Sequence, residues 1–287
     1  MDDSVFNGYD VTEKMMKSYK DNGFIIIKNI LPPDELAQVR EALENPKGVR
    51  QHAYDVEDGD NEGMFSRMTC WNSPGDDITG LLARSDKIAG IAEKLLGEDI
   101  YHYHSKLMMK EARTGGRWQW HQDYGYWYQN GIMFPKMMTI NIAIDKSHKI
   151  NGCLQVLKGS HKMGRVDHVL DGQLGVEPER LKLAQGKFEK VYAELNPGDA
   201  IFFDCNLLHS SSPNTSEFRR WMLAMCFNTK SNNPVKAHHH PFYTPLQRVP
   251  NSAIKACKDP LNMNGKDFLD PKSSTLADQN ITKEIKT

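Results

Sequence analysis

The sequence predicts a mainly β protein with flanking helices, of the β-sandwich or jelly-roll type. Two observations support this prediction. From residue 100 onward, short runs of β-branched and aromatic residues alternate with turns of Gly, Asn and Pro, a pattern typical of antiparallel sandwiches and jelly rolls. Before residue 100, apolar residues recur at helical spacing behind capping signals. We therefore expect N-terminal helices followed by a two-sheet core.

The first 99 residues are predicted to mix helices with a strand. A helix is expected over residues 11–22, with Asp10 as its N-cap. The β-branched run 24–28 follows an Asn-Gly turn and is typical of a buried strand. A second helix is expected to begin near Pro33, because proline and acidic residues suit the first helical turn. A further predicted helix covers residues 86–96 and ends at a glycine.

Five runs after residue 100 are predicted to be strands of the core. They are residues 101–110, 137–145, 153–157, 200–203 and 219–228. The sequence has no internal repeat and no low-complexity linker, so it predicts one domain over residues 1–287. The core would span about residues 100–230, between an N-terminal region of residues 1–99 and a C-terminal extension of residues 231–287.

The composition is that of an ordinary globular protein. The chain has 287 residues, 36 Lys and Arg, 37 Asp and Glu, and a formal net charge of −1. This balance argues against nucleic acid as a partner and against a polybasic membrane-surface protein. No apolar stretch reaches the ~20 residues of a membrane span, and the acidic N-terminus lacks a secretion signal. Five scattered cysteines without a CxxC pair are typical of reduced thiols, so we expect a cytoplasmic protein.

His121 and Asp123 form the first candidate metal site. In a strand, residues i and i+2 face the same side, so these side chains would converge and supply two ligands of a 2-His-1-carboxylate triad for Fe(II). The third candidate is His209, between an apolar run and three serines. Taken alone, an HxD pair is more often a hydrogen-bonded surface pair, and a lone histidine is more often packed in a core or loop. The triad is therefore a hypothesis at this point.

Arg219 and Arg220 open the last predicted strand of the core. The residues that share a face with Arg220 are small or apolar: Met222, Ala224 and Cys226. An arginine on such a face needs an anionic partner, because a buried unpaired charge is costly. A guanidinium binds a carboxylate in bidentate fashion, and a dicarboxylate such as 2-oxoglutarate would supply one. Alternation alone leaves open which arginine points inward, and two surface arginines are the alternative.

Several motif-like pieces occur in order along the chain. They are Asp21-Asn-Gly-Phe, Lys110, His121-Gln-Asp123, Asn151-Gly-Cys-Leu, Gly159-Ser-His161, Pro197-Gly-Asp199, His209-Ser-Ser211 and Arg220. With these pieces the sequence resembles the phytanoyl-CoA dioxygenase family of Fe(II)- and 2-oxoglutarate-dependent oxygenases over about residues 15–230. The resemblance implies a double-stranded β-helix, or cupin-like jelly-roll, core. It also implies a dioxygenase that uses Fe(II), 2-oxoglutarate and O2 and releases succinate and CO2.

The resemblance assigns roles to individual residues. His121, Asp123 and His209 would be the iron ligands and the catalytic centre. Arg220 and Ser211 would hold the distal carboxylate of 2-oxoglutarate.

Three further residues are candidate contacts of the co-substrate. Lys110 matches a lysine that meets 2-oxoglutarate in ectoine hydroxylase-like members, and Lys106 lies on the same face of the same strand. Which of the two reaches the co-substrate stays open. Asn141 falls where some members carry a tryptophan, and it either lines the pocket or is a structural amide.

Aromatic residues crowd around the HxD motif. The candidate substrate contacts among them are Trp118, Tyr124, Tyr126 and Trp127. Strand alternation would place Trp118 off the ligand face of His121, and the alternative role for most of these rings is packing of the sheet. Rings that face a cavity can hold an ammonium group by cation–π attraction. Together with Lys106, His104 and Arg117, they favour a small polar or zwitterionic metabolite: an amino acid, a quaternary amine or a phosphonate-like anion.

Other functions and settings stay open. The first alternative is an oxygenase of fatty acyl-CoA or another lipid-type substrate, and the second is a non-enzymatic jelly-roll binding or sensor protein. A small-molecule substrate is expected without a nucleic-acid or membrane partner, and the chain would be a monomer or a homodimer. Residues 51–80 look loop-like. They either cover the site or pack against the rest of the protein away from it. Residues 231–250, with the run His238-His239-His240, are a second candidate cover.

Overall fold

The computed structural model of the protein describes residues 3–57 and 63–269. The strands in this part of the chain are β1 Val5–Asn7, β2 Phe24–Lys28, β3 Tyr54–Glu57, β4 Phe65–Trp71, β5 Ile100–Lys110, β6 Trp118–His121, β7 Met137–Ala143, β8 Leu154–Leu157, β9 His168–Asp171, β10 Gln173–Val176, β11 Lys190–Ala193, β12 Ala200–Asp204, β13 His209–Ser211 and β14 Arg220–Thr229. The α-helices there are α1 Glu13–Asn22, α2 Pro33–Glu44, α3 Ile78–Arg84, α4 Ile91–Leu96, α5 Asp123–Trp127, α6 Pro178–Lys187 and α7 Ser252–Lys255.

The strands form two sheets around a shared interior. The larger sheet has the order β1-β2-β12-β7-β14-β5-β4-β3, and β1–β2 is its parallel pair. The smaller sheet has the order β11-β8-β13-β6 with antiparallel neighbours. A separate antiparallel hairpin joins β9 and β10. Two sheets packed in this way form the predicted jelly roll.

Alternation along β14 separates two buried layers. Trp221, Leu223 and Met225 lie in a large apolar cluster that also holds buried residues of α1 to α4. The residues between them, among them Met222 and Ala224, line the space between the sheets. Burial of a large apolar side chain stabilises the fold by roughly 1.5–3 kcal/mol. The helix-covered face therefore stabilises the sheet, and the opposite face is available for a site.

The N-terminal elements differ from the predictions in detail. The strand Phe24–Lys28 has the predicted bounds. The first helix is capped by Thr12 instead of Asp10, because the Thr12 side chain accepts a hydrogen bond from the Met15 amide at 3.2 Å. The predicted helix over residues 86–96 is a π-helical turn, Asp86–Gly90, followed by α4.

Residues 51–80 do not form the loop that the sequence suggests. Within the described part, β3 and β4 add two strands to the larger sheet beside β5, and α3 follows them. β4 contains several polar residues and therefore lacks the apolar pattern of a strand. Its conformation is decided by its pairing with the long strand β5. Residues 58–62 lie outside the described residues, as does the predicted C-terminal extension beyond residue 269. Among the described residues, none of the helices has the length and apolar character required to cross a membrane.

Candidate active site

The three predicted metal ligands lie together between the sheets. His121 ends β6, Asp123 begins α5 and His209 begins β13, and all three are buried. One potential ligand atom from each lies within 4.8 Å of the others. The Nε2 of His209 is 3.9 Å from Oδ1 of Asp123. Within residues 3–57 and 63–269, no other group of three or more His, Cys, Asp or Glu side chains has this spacing.

Strand pairing and a turn bring the three residues together. His209 is the direct antiparallel partner of His121. Asp123 does not follow His121 in the same strand, as the i, i+2 argument assumed, because the chain leaves β6 at Gln122 and Asp123 is the first residue of α5. The buried Gln122 side chain donates a hydrogen bond to the Asn206 carbonyl at 2.7 Å. The convergence therefore depends on a fixed strand-to-helix turn.

Backbone carbonyls orient both imidazoles. The Nδ1 of His121 lies 2.6 Å from the Gln119 carbonyl oxygen, and the Nδ1 of His209 lies 2.9 Å from that of Leu207. A carbonyl can only accept, so Nδ1 donates in each ring and Nε2 keeps its lone pair. Burial, reinforced by the neighbouring His209, lowers the pKa of His121 well below its usual value. Both rings therefore present a nitrogen lone pair to the centre of the cluster.

Thr139 orients the carboxylate of the cluster. Its hydroxyl donates to Oδ2 of Asp123 at 2.5 Å, and Oδ1 remains on the side of His209. Two imidazole nitrogens and one carboxylate oxygen are the donor set of the facial triad. The residues present therefore fit Fe(II).

Arg220 points inward and Arg219 points outward. Arg220 is 6% exposed, donates to the Gly152 carbonyl at 2.8 Å and has a buried Nε without a partner among the described residues. Burial lowers its pKa to about 10, so it stays cationic at neutral pH. Arg219 forms ion pairs with Glu44 and Asp145. The inward arginine has no ion-pair partner in the described chain, which suits an anionic ligand.

The two candidate lysines of β5 have different surroundings. Lys106 lines the cavity and has no hydrogen bond or ion pair with another described residue. Burial lowers its pKa, but two nearby cysteines and Asp123 raise it by more, so the net pKa lies above the usual value. The ammonium of Lys110 donates to the Ser212 carbonyl at 2.5 Å. Lys106 is thus the lysine that offers its charge to the cavity.

The cavity around the cluster has a volume of about 150 Å³. The larger sheet contributes Asn141, whose buried Oδ1 has no partner among the described residues. The smaller sheet contributes Ser211. Trp118, Tyr126 and Trp127 add aromatic walls. The cavity thus combines the candidate metal ligands with two cations, polar groups and rings.

Trp118 and Tyr124 lie in positions that the sequence did not predict. Trp118 lines the cavity together with His121, although strand alternation would put the two side chains on opposite faces. The reason is an irregularity in the pairing of β6 with β13: His121 pairs with His209, but Trp118 pairs with Ser211. Tyr124 packs in a buried aromatic cluster, and its hydroxyl donates to the Ile132 carbonyl at 3.1 Å. Tyr124 thus supports the wall that carries Trp127.

Sequence reasoning missed several residues of the site. Thr139 is one of them, and a polar residue within the apolar run Met137–Ala143 was the available signal. His239 and His240, which lie in the second candidate cover, line the cavity as well, and so does Leu269, which was not predicted. The histidine run offered a weak signal for the first two, and Leu269 offered none.

The match to a known protein family includes the metal cluster and Arg220. The family model for phytanoyl-CoA dioxygenase matches residues 19–222. The chain belongs to the phytanoyl-CoA dioxygenase family. The matched segment contains the His121, Asp123 and His209 cluster and Arg220. The predicted enzyme class, a dioxygenase that depends on Fe(II) and 2-oxoglutarate, is confirmed.

Relatives in this family are similar along most of their length. L-proline trans-4-hydroxylase of Streptomyces griseoviridis is 28% identical over an alignment of 256 residues that covers 83% of this chain and 94% of the relative. Ectoine dioxygenase of Bordetella bronchiseptica is 28% identical over 264 residues, 85% of this chain and 83% of the relative. EctD from S. alaskensis, crystallised with 2-oxoglutarate and 5-hydroxyectoine, has a TM-score of 0.69 at 21% identity, over 87% of this chain and 93% of that one. The predicted jelly-roll fold is thereby confirmed.

Proposed function

We propose that this family member hydroxylates an unactivated C–H bond of a small zwitterionic metabolite that carries a carboxylate. 2-Oxoglutarate and O2 are consumed, and succinate and CO2 are released. One observation carries the proposal: the buried cluster of His121, Asp123 and His209 shares its cavity with Arg220 and Lys106, two cations without an ion-pair partner in the described chain.

In this proposal, the cluster holds the metal. Nε2 of His121, Nε2 of His209 and Oδ1 of Asp123 bind Fe(II), and the hydrogen bond from Thr139 keeps the carboxylate turned toward it. Bound Fe(II), with 2-oxoglutarate and O2, supplies the oxidising power for the C–H bond. The protein contributes the orientation of the reactants and the exclusion of water by its aromatic walls.

Arg220 and Ser211 bind the distal carboxylate of 2-oxoglutarate in this proposal. The unpartnered Nε of Arg220 and the buried Ser211 hydroxyl are suitable donors for it. Asn141 is available to a further oxygen of the co-substrate. Since the Lys110 ammonium already donates to the Ser212 carbonyl, Lys110 supports the strand that carries Ser211 and does not bind 2-oxoglutarate itself.

Lys106 binds the substrate carboxylate in this proposal. With Fe(II) and the 2-oxoglutarate dianion bound, the charges of Asp123, Arg220 and Lys106 leave one net positive charge in the cavity. A buried cation is costly without an anionic partner beside it, so a substrate carboxylate that pairs with Lys106 is favoured. The names of the two relatives, a proline hydroxylase and an ectoine dioxygenase, point to small zwitterions as well.

The family name raises acyl-CoA thioesters as a second class of substrate. The near-neutral chain has no excess of positive charge for a polyanionic CoA. The small zwitterion is therefore the better candidate. We propose a cytoplasmic enzyme that is a monomer or a homodimer. Its five cysteines are free, which supports a reducing compartment.

The first experiment is an anaerobic titration with Fe(II) and 2-oxoglutarate, followed by the visible charge-transfer band of the chelate. Wild type is compared with His209→Ala, Arg220→Ala and the control His161→Ala, a histidine that contacts the Lys20 carbonyl outside the cavity. We expect a band that disappears without His209, weakens without Arg220 and persists in the control. A succinate-release screen with amino acids, including L-proline, with ectoine and with acyl-CoA esters follows.

The outcomes separate the alternatives. Absence of the band in wild type, with iron loading verified, would refute the proposed metal and co-substrate site. A band with succinate release only for acyl-CoA esters would refute the small zwitterionic substrate while leaving the site assignment intact.

A further inference from the structure

One end of the cavity is built by residues outside the family match. His239, His240 and Leu269, which we call the C-terminal wall, line the cavity but lie beyond residue 222, where the match ends. The residues that contact iron or 2-oxoglutarate in our proposal all lie inside the match. The wall therefore lies outside the segment that the family model describes, which makes it a candidate for substrate selection.

Asn72 anchors this wall. Its side-chain amide donates to the His239 carbonyl at 2.7 Å, and its Oδ1 lies 2.7 Å from Nδ1 of His240. Its backbone amide donates to the Asp267 carbonyl at 2.8 Å. The amide of Leu269 donates to the Cys70 carbonyl at 2.9 Å. The wall is thus held to the end of β4 through several hydrogen bonds.

These contacts fix the hydrogen-bonding role of His240. The Asn72 side chain donates through Nδ2 to the His239 carbonyl, so the atom facing His240 is the acceptor Oδ1. Nδ1 of His240 must then be the donor. Burial, reinforced by the positive charges of nearby groups, holds the pKa of His240 well below its usual value, so the ring is neutral. Its Nε2 keeps a lone pair and has no hydrogen bond to another described residue.

The surroundings of His240 suit the cationic end of a zwitterion. The ring of His104 stacks on His240 with centroids 4.4 Å apart, and neither nitrogen of His104 has a partner in the described chain. The Trp127 ring, with its centroid 5.7 Å from that of His104, adds aromatic surface on the cavity. Lys106, the cation that would bind a carboxylate, lines the same cavity as His240. One small molecule with an ammonium and a carboxylate could therefore contact both residues.

We propose that Nε2 of His240 accepts a hydrogen bond from an N–H group of the substrate ammonium, and that the enzyme therefore selects zwitterions with a primary or secondary amine over quaternary ammonium compounds. A quaternary nitrogen has no N–H to donate and would leave the buried Nε2 without a partner. This inference rests on the proposed function, and it narrows the substrate class of that site.

The test compares matched substrates. L-proline is paired with N,N-dimethylproline, and two further amino acids of the succinate screen are paired with their N-trimethyl derivatives. Binding is measured anaerobically as the change that each compound causes in the Fe(II)–2-oxoglutarate band, and turnover as succinate release. The variants are His240→Phe, which removes the acceptor, His240→Gln, which offers a carbonyl oxygen instead, and the control His161→Gln.

We expect wild type and the His161→Gln control to prefer the N–H member of each pair by about 10-fold or more in affinity. His240→Phe should reduce this preference to within about 2-fold, mainly by weakening the N–H compound, and His240→Gln should restore part of it. The band without substrate should persist in all variants, which shows that the fold and the metal end are intact.

Three results would overturn the inference. They are equal affinity for both members of the pairs in wild type, an unchanged preference in His240→Phe, and binding of neither member of any pair. If no member of any pair binds although the Fe(II)–2-oxoglutarate band is normal, the proposed substrate class is refuted as well. Loss of this band in wild type refutes the proposed function itself.

Discussion

The two ends of the cavity are built in different ways. At the metal end, His209 and His121 are direct partners in adjacent strands of the smaller sheet, and local carbonyls orient their rings. At the C-terminal wall, His239 and His240 lie in a segment without regular secondary structure and are held by Asn72, which is 167 and 168 positions away in sequence. Sheet register thus places the metal end, whereas long-range hydrogen bonds place the wall to which we assign substrate selection.

The largest predicted effect is on a buried ion pair in the segment that leads to Leu269 of the C-terminal wall. Lys266 and Asp77 form an ion pair at 2.8 Å with both side chains fully buried. Lys266→Met leaves the Asp77 carboxylate buried without this partner, which costs about 3–5 kcal/mol of unfolding free energy. We expect this loss in denaturant unfolding, together with a higher KM for substrate and unchanged Fe(II) affinity.

A matched control is available in an exposed pair. Lys255 and Asp34 form an ion pair at 2.6 Å, but their side chains are 55% and 60% exposed. Lys255→Met should leave the unfolding free energy nearly unchanged, because solvent screens such pairs. Equal losses in Lys266→Met and Lys255→Met, or a weakened iron site in Lys266→Met, would contradict the separation of the two ends.

The second prediction concerns 2-oxoglutarate. Arg220→Ala removes charge-assisted hydrogen bonds from a buried site, so we expect the KM for 2-oxoglutarate to rise about 100-fold. The neighbouring Arg219→Ala is the control, because Arg219 pairs with Glu44 and Asp145 outside the cavity. The measurement is succinate release at varied 2-oxoglutarate. A similar rise in both variants would show that Arg220 does not bind the co-substrate.

Sequence predicted the metal end better than the wall, for a physical reason. The alternation of side chains between the two faces of β14 depends only on neighbouring residues. The sequence therefore predicted that Arg220 and Met222 share one face of the strand, and both line the cavity. The position of Asp123 was also predicted, although through a strand that is in fact the start of α5. Nothing local to His240 indicates that Asn72 holds it, and that contact forms only when the chain folds.

The same limit applied to part of the fold. The strand Phe24–Lys28 is an apolar run with clear turn signals and has its predicted bounds. β4 carries Ser66, Arg67 and Thr69 within its seven residues, and its strand conformation comes from pairing with β5. Long-range pairing therefore decided the structure where the local pattern was weak.

A third prediction examines the metal end. Thr139→Val removes the hydroxyl that donates to Oδ2 of Asp123, and loss of such a supporting hydrogen bond lowers metal affinity by about 10-fold or more. Thr139→Ser keeps the hydroxyl and should retain most of the affinity. Iron binding by competition with a chelator measures the effect. If Thr139→Val binds iron as wild type does, the carboxylate needs no orientation by this residue.

The smallest predicted effect is on how the stability of the protein depends on pH, through a buried carboxyl outside the cavity. Burial raises the pKa of Asp204, at the end of β12, to about 7. The folded state then keeps a proton that the unfolded state has released above about pH 4, so this group makes the protein less stable as pH rises from about 4 to 7.

Asp204→Asn removes this titration and keeps an oxygen for the Asn206 amide, which bonds Oδ1 of Asp204 at 2.8 Å. Between pH 5 and pH 8, the Tm of the variant should gain about 2–4 °C relative to wild type. Because Asp204 lies on neither wall of the cavity, the KM values for substrate and 2-oxoglutarate should stay unchanged. A constant Tm difference across this pH range would show that the carboxyl titrates alike in the folded and unfolded chain.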